Sequence, residues 1–294
     1  MDIFKLTTGK QQVWKINRDN FELATKKQQP WYQSINGHDG FFAVCPACDN
    51  PVQLVGMLAR GKTKPYGKHF FPQPGTLQYP LHGRVDRDEY LWCPYAQQIR
   101  KITKENRRPV TNPLAITIRE TLINQFDRVI YLLEKTTGLG ISTALAMAML
   151  EDYRAAQGWL YQGATLQNIP WTFAYMIAAK RLFGRRLLDT EFAAELCRQC
   201  PYLNYTERQQ ILSRDQSNPT FCDLTFCFIL HRRRVIENVL EESIVFDVAD
   251  TSRKTICKKV VQFDHQWFAK LTAPSRNTCH RNQELIELAR KILA

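Results

Sequence analysis

No apolar run in the chain approaches the roughly 18 residues that a membrane-crossing helix needs, so a membrane partner is not expected. There is no repeat at a fixed period and no low-complexity tract, which leaves an ordinary folded protein. The opening MDIFKLTTGKQQVWK lacks the basic-then-apolar plan of a secretory signal. Cysteine is present, but its nine copies are an odd number and fall partly in Cys-x-x-Cys pairs, a poor match to a secreted disulfide framework. The expectation is a soluble, cytoplasmic chain kept reduced. Also missing are a nucleophile elbow, a P-loop, a dinucleotide fingerprint and a His-Glu-x-x-His motif. The enzyme classes those motifs announce find no support, and no residue is assigned a catalytic role.

What is there begins with size and charge. With 294 residues, 44% of them apolar and 23% charged, the chain can bury a sizeable core and has room for two or three domains. Its formal charge is +12, unevenly spread. Residues 1–110 hold 17 Lys and Arg against 9 Asp and Glu, so that two-thirds of the excess lies in the first part. A basic protein attracts polyanions, of which nucleic acid is the commonest in a cell; a generic basic surface is the alternative.

Residues 1–110 mix short β-like runs (DIFKL, GFFAV, PVQLVGML) with many turn residues. A basic connector, RKITKENRRPVTNP, follows at 100–113. Beyond it Leu114, Ile118, Leu122, Phe126 and Ile130 recur at four-residue steps, predicting a helix capped by Asn112, started by Pro113 and ended by Gly138. Further helices are expected at 142–157, 170–182, 190–199, 207–214 and, longer, 219–242, with a final one in NQELIELARKILA. ESIVFDVADTSRKTICKKVVQFD reads as two β-runs around a polar turn. The expected fold class is therefore α+β: a small β-rich, zinc-binding module over 1–110, then a mainly helical body over 111–294 with a short β-hairpin near its end.

The segment CPACDNPVQLVGMLARGKTKPYGKHF carries the clearest chemistry. Cys45 and Cys48 have the spacing of a zinc knuckle, in which two thiolates of one tight turn reach the same tetrahedral ion. Two more ligands are needed. His69 and Cys93 are the best candidates, with His82 and His38 as substitutes. Four protein ligands would leave no open position for water, so such a site would be structural. The alternative is buried thiols beside an unrelated histidine.

The stretch FFAVCPACDNPVQLVG with the later KHFFP resembles the short N-terminal module of bacterial competence-associated CoiA-like proteins. The resemblance covers about residues 41–72. It implies Cys45, Cys48 and His69 as metal ligands, and in that family the module precedes a nuclease-like domain. It also suggests a bacterial protein of a mobile-element or antiviral defence system. Downstream of residue 110 the chain departs from that pattern, because helices are expected where strand-borne acids and a lysine would be needed.

A second set, Cys197 and Cys200 with Cys222, Cys227 and His231, could clamp a second metal, but core thiols suit its apolar surroundings better. Cys257 and Cys279 have no evident partners. Glu241, Glu242, Asp247 and Asp250 near Lys258 and Lys259 form the closest carboxylate group, although Ile256 stands where a nuclease pattern wants an acid; a solvated hairpin accounts for them. Asp86, Asp88 and Glu89 read as a surface turn.

The basic clusters point elsewhere. Arg100, Lys101, Lys104, Arg107 and Arg108 lie in the connector, Lys180, Arg181, Arg185 and Arg186 in KRLFGRR, and Arg232, Arg233 and Arg234 in HRRR. RKTICKK at 253–259 is another such run. Helices 142–157 and 170–182 could form a helix-turn-helix-like pair, or pack as an ordinary bundle. The leading expectation is a non-enzymatic, zinc-stabilised protein that binds nucleic acid, DNA first. A nuclease or nuclease subunit, and an adaptor that binds another protein, are the alternatives.

Overall fold

The computed structural model describes residues 1–35, 37–59, 64–206, 208–215, 223–273 and 280–294. Near the N-terminus β1 (Ile3–Phe4) pairs antiparallel with β2 (Trp14–Lys15). Helix α1 (Arg18–Thr25) follows, its first turn closed by the Asn17 side chain, which accepts from the Asn20 N–H. A four-stranded antiparallel meander is then built from β3 (Tyr32–Ile35), β4 (His38–Val44), β5 (Pro51–Val55) and β6 (Tyr66–His69). Alternation along β4 decides its packing. Phe41 and Ala43 join a cluster with Phe4, Phe21, Val52 and Leu54, while Phe42 points to the other face and meets the Phe70 ring at 5.3 Å. Met1 lies alongside β6, exchanging backbone hydrogen bonds with Gly67 at 2.9 and 3.0 Å. A Cβ on Gly67 would collide with the Met1 side chain, so glycine permits the approach. The short α2 (Arg87–Trp92) completes this region.

Helices α3 (Pro113–Asn124), α4 (Phe126–Thr137), α5 (Thr143–Ala155) and α6 (Ile169–Met176) come next. Asn112 caps α3 and Pro113 opens it as expected, but the single helix anticipated up to Gly138 is two. The chain leaves helical geometry at Gln125 (φ −124°, ψ 17°), and Gly138 ends α4 in the left-handed region at φ 75°. Helix α7 (Thr190–Gln199) occupies the predicted span. After β7 (Lys180–Arg181), the strands β8 (Leu203–Thr206) and β9 (Ile211–Arg214) form a hairpin. Then come β10 (Thr225–Ile236), β11 (Val239–Ala249) and β12 (Thr255–Gln262), followed by α8 (His265–Thr272) and α9 (Gln283–Leu293). The main sheet has the order β12-β11-β10-β7, antiparallel throughout. Phe226, Phe228, Ile244, Phe246 and Val248 of this sheet share one core with Leu114, Leu122, Phe126, Leu133 and Leu150 of the helices.

The fold is thus mixed α/β, and the expectation of a mainly helical body closed by one short hairpin is overturned by strands β8 to β12. The helix expected at 207–214 is part of the β8–β9 hairpin, with Glu207 outside the described residues. The longer one expected at 219–242 is β10 and the start of β11, with 219–222 outside the described residues. The period in TFCFILHRRRVI is two, with Phe226 and Phe228 buried between half-exposed neighbours, and its aromatic and β-branched residues favour a pleated surface. A bulge disguises the pattern: the β10–β11 register shifts between Ile229 and Arg232, and Leu230 sits at φ 57°. His231 therefore turns inward. The reversal uses Glu237 and Asn238, both at positive φ, as a two-residue turn. The helix expected at 170–182 likewise stops at Met176 and gives way to β7.

Candidate metal centre and candidate nucleic-acid interface

Strand β4 ends at Val44, and the next six residues form the turn into β5. Cys45 N–H donates to the Asn50 carbonyl at 2.8 Å, Asp49 N–H donates back to the Cys45 carbonyl at 3.2 Å, and Asp49 takes φ 61°. Asn50 is wholly buried and its amide donates to the Cys48 sulfur at 3.3 Å and to the Asp86 carbonyl at 2.9 Å. Asp86 N–H returns a bond to Asn50 Oδ1 at 2.7 Å. The knuckle is thereby tied to α2, whose last residue is followed by Cys93. His69 arrives as the last residue of β6, directly opposite Val52.

These four side chains converge. Their ligand atoms all lie within 4.8 Å of one another. Cys45 Sγ is 3.7 Å from Cys93 Sγ, and Cys48 Sγ is 3.3 Å from His69 Nε2. Sulfurs about 2.3 Å from a tetrahedral ion stand about 3.8 Å apart, and the Cys45–Cys93 separation matches that edge. The group can hold a metal ion such as zinc. Without one, burial disfavours charge on all three sulfurs, raising Cys48 and Cys93 well above the usual thiol range. Cys45 faces the same burial, but hydrogen bonds from the other two thiols and the nearby imidazole hold it well below. The substitutes stand apart: His38 is exposed at the start of β4, and His82 is exposed with its ring 4.8 Å from Trp31.

Among the described residues this is the one group of its kind. Cys222 and Cys279 lie outside the described residues. Cys200 is buried and accepts a hydrogen bond from Tyr202 at 3.3 Å; Cys197, Cys227 and Cys257 are half-buried. His231, weighed as a ligand for that second set, is committed elsewhere. Its Nδ1 shares a proton with the Tyr161 hydroxyl at 2.8 Å, and its Nε2 meets Glu242 Oε1 at 3.1 Å.

Glu242 is the centre of a buried network. Its second oxygen meets His265 Nε2 at 2.8 Å, and Asn168 Nδ2 donates to both oxygens at 3.3 Å. Burial opposes its charge, yet the two histidine hydrogen bonds hold its carboxyl well below the ordinary carboxylate range. The other carboxylates weighed for catalysis are also engaged. Glu241 accepts from Arg234 at 2.8 Å, Asp247 from the Thr255 hydroxyl at 3.1 Å, and Asp250 from Ser252 and Lys254 within its own turn. Glu89 is no surface group: it is buried and accepts from Arg108 at 2.8 Å and Asn112 at 2.9 Å. Asp86 caps α2.

The basic residues separate into those with spoken-for heads and those facing open space. Arg108 is buried, with its guanidinium shared among Glu89 and the carbonyls of Tyr161, Gln162 and Ala164, and it has no face left for a phosphate. Arg107 donates to the carbonyls of Ala156 and Gln157 just beyond α5. Lys180 pairs with Asp152 at 2.6 Å, Arg181 with Asp223 at 2.9 Å, and Arg186 donates to Gln210 at 2.8 Å. Arg185 Nε reaches the Arg181 carbonyl at 3.4 Å. The Lys104 ammonium lies 4.7 Å from the centre of the Tyr175 ring, and burial lowers its pKa.

Arg100, Lys101, Arg232, Arg233 and Arg234 line one cleft of about 870 Å³. Arg100 lies over the Trp92 ring at 5.5 Å, and Arg233 donates to the Trp92 and Arg100 carbonyls at 2.9 and 3.2 Å. Those bonds anchor the connector against β10. Arg232 and Lys101 are exposed. Tyr175 and His231 reach the same cleft. The helix-turn-helix alternative fails here, because every residue of α6 is buried and no face remains to enter a groove. No described helix is long and apolar enough to cross a membrane. Comparison with protein-family models, with curated proteins and with solved structures returns no match for this chain.

Proposed function

We propose that the chain binds nucleic acid through the cleft between the 100–103 connector and β10, and that a zinc ion folds its N-terminal module. The observation that carries this reading is the meeting of two runs remote in sequence, Arg100 and Lys101 from one side and Arg232 and Arg233 from the other, in a cleft where Glu241 pairs with Arg234 and Glu242 is held by the histidines. Gathering cations costs electrostatic free energy, which an anionic ligand relieves. Exposed Leu230 and Val260 beside them offer apolar contact to sugars and bases. Three thiolates and one imidazole are a borderline-soft donor set, which favours zinc, and a complete cage makes the ion structural. The resemblance of residues 41–72 to the CoiA-like module supports Cys45, Cys48 and His69 within that set.

The test is a titration with duplex DNA across salt concentrations. Affinity falls steeply with salt, and Arg100→Ala with Arg232→Ala shallows the logarithmic slope by about one unit per lost phosphate contact. Metal analysis of protein purified without chelator returns about one zinc per chain. No affinity for any nucleic acid at low salt removes the reading and leaves an adaptor role in its place.

A further inference from the structure

A groove of about 1000 Å³ runs between the β1–β2 ribbon and α8, away from the cations of the first cleft. It is mostly apolar, walled by Ile3, Leu6 and the indoles of Trp14 and Trp31. Neither ring owes its place to chance packing. Trp14 is fixed opposite Phe4 by the β1–β2 register, and Trp31 Nε1–H donates to the Leu6 carbonyl at 2.9 Å. Three lysines also border the groove, Lys10, Lys15 and Lys270, all exposed, and among the described residues no carboxylate lines it. None of the three has an ion-pair partner among the described residues. Asp2 acts on Lys15 through space, yet rigid aromatic faces ringed by exposed cations complement a ligand that is anionic along its length and carries flat rings.

We propose that this groove binds single-stranded nucleic acid, its bases stacked against Trp14 and Trp31 and its phosphates met by Lys10, Lys15 and Lys270. The proposal rests on the nucleic-acid reading above and specifies the strand form. Bases within a duplex are stacked on one another and cannot lie on a protein ring, whereas those of a single strand can. The volume suits a short oligomer rather than a single small ion. A single strand entering here meets stacking surfaces; the first cleft offers guanidinium and ammonium groups to phosphates of either form.

The experiment measures fluorescence anisotropy of a labelled oligothymidylate and of a duplex hairpin of equal length, with the full zinc-loaded chain. Trp14→Ala, and separately the triple exchange of Lys10, Lys15 and Lys270 to Ala, each weaken oligothymidylate binding about tenfold while changing duplex binding less than twofold. The triple variant also flattens the salt slope by about 0.7 per lost phosphate contact. Because Trp14 lies in a strand, Trp14→Phe supplies a second readout: the quenching of indole emission by oligothymidylate is reduced relative to the wild type. Single-strand affinity unchanged in both groove variants, but reduced by Arg100→Ala with Arg232→Ala, overturns the groove and leaves the cleft. Affinity lost only in the groove variants keeps the groove and overturns the cleft. No binding of either oligonucleotide by the wild type overturns both.

Discussion

Two regions of this molecule bury groups that resist burial, and they do so by opposite means. In the N-terminal module three buried thiols and an imidazole face one another. The Asn50 amide donates to the Cys48 sulfur, and the Cys45 and Cys93 sulfurs face each other at 3.7 Å. In the body Glu242 is also sequestered, its side chain 1% exposed, but His231, His265 and Asn168 surround it with donors. The first arrangement can be completed by a cation from outside the chain; the second is complete within it. The stability of one region should therefore follow metal concentration, and that of the other should follow pH.

The largest effect that can break this contrast is at Cys45. Cys45→Ser removes a thiolate from a cage whose binding energy, for structural zinc, is on the order of 10 kcal/mol. Residues 1–100 lose protection in hydrogen exchange while the helices of the body keep theirs, and bound metal falls. Cys93→Ser behaves the same way; His82→Ala leaves metal content unchanged. Protection lost equally in both regions would show that the metal holds the whole chain.

Arg108→Ala comes next. It strands the buried Glu89 carboxylate without its guanidinium and uncaps three carbonyls, a loss of about 3–5 kcal/mol in chemical denaturation. Nucleic-acid affinity measured well below the melting temperature stays at the wild-type value, because the side chain has no exposed head. A fall in affinity with unchanged stability would return Arg108 to the binding surface.

Glu242→Gln is expected to be milder, about 2–3 kcal/mol, since the amide keeps the shape and one acceptor. Its pH dependence is the sharper readout. The carboxyl is depressed in the folded state, so its contribution is present above the unfolded-state value near 4.3 and is lost as pH falls through the lower folded value. The melting-temperature gap between wild type and variant is full at pH 6 and narrows below about pH 4. A gap that stays constant across this range would mean that Glu242 contributes by packing alone. Chelator has no effect on the gap if the two regions are independent.

How much of this was legible depends on the range of the interaction concerned. Asn112, Pro113 and Gly138 announced helix boundaries because capping involves residues three or four apart, and only the break at Gln125 escaped. The β10 strand escaped because its bulge at Leu230 breaks the two-residue alternation just where the HRRR run begins. Glu89 reads as a surface acid in the sequence, since nothing adjacent reveals that Arg108 and Asn112 fold over it. His265 carries no local signal of its role. A histidine one residue after the helix-capping Asp264 has no signature until β11 brings Glu242 within 2.8 Å.

By itself the sequence determined the knuckle at Cys45 and Cys48, the basic excess and the absence of long apolar spans, because each depends on neighbours along the chain or on composition alone. His69 and Cys93 could be named as the best remaining ligands, but their convergence needed β6 beside β5 and the end of α2 against the knuckle. The tertiary structure alone decided which cations are free. Arg108 is consumed by a buried carboxylate, while Arg232 remains exposed beside Arg100 and Lys101. The physical reason is that a charged side chain has the same formula in both places, and only long-range strand pairing and burial determine whether a partner already neutralises it.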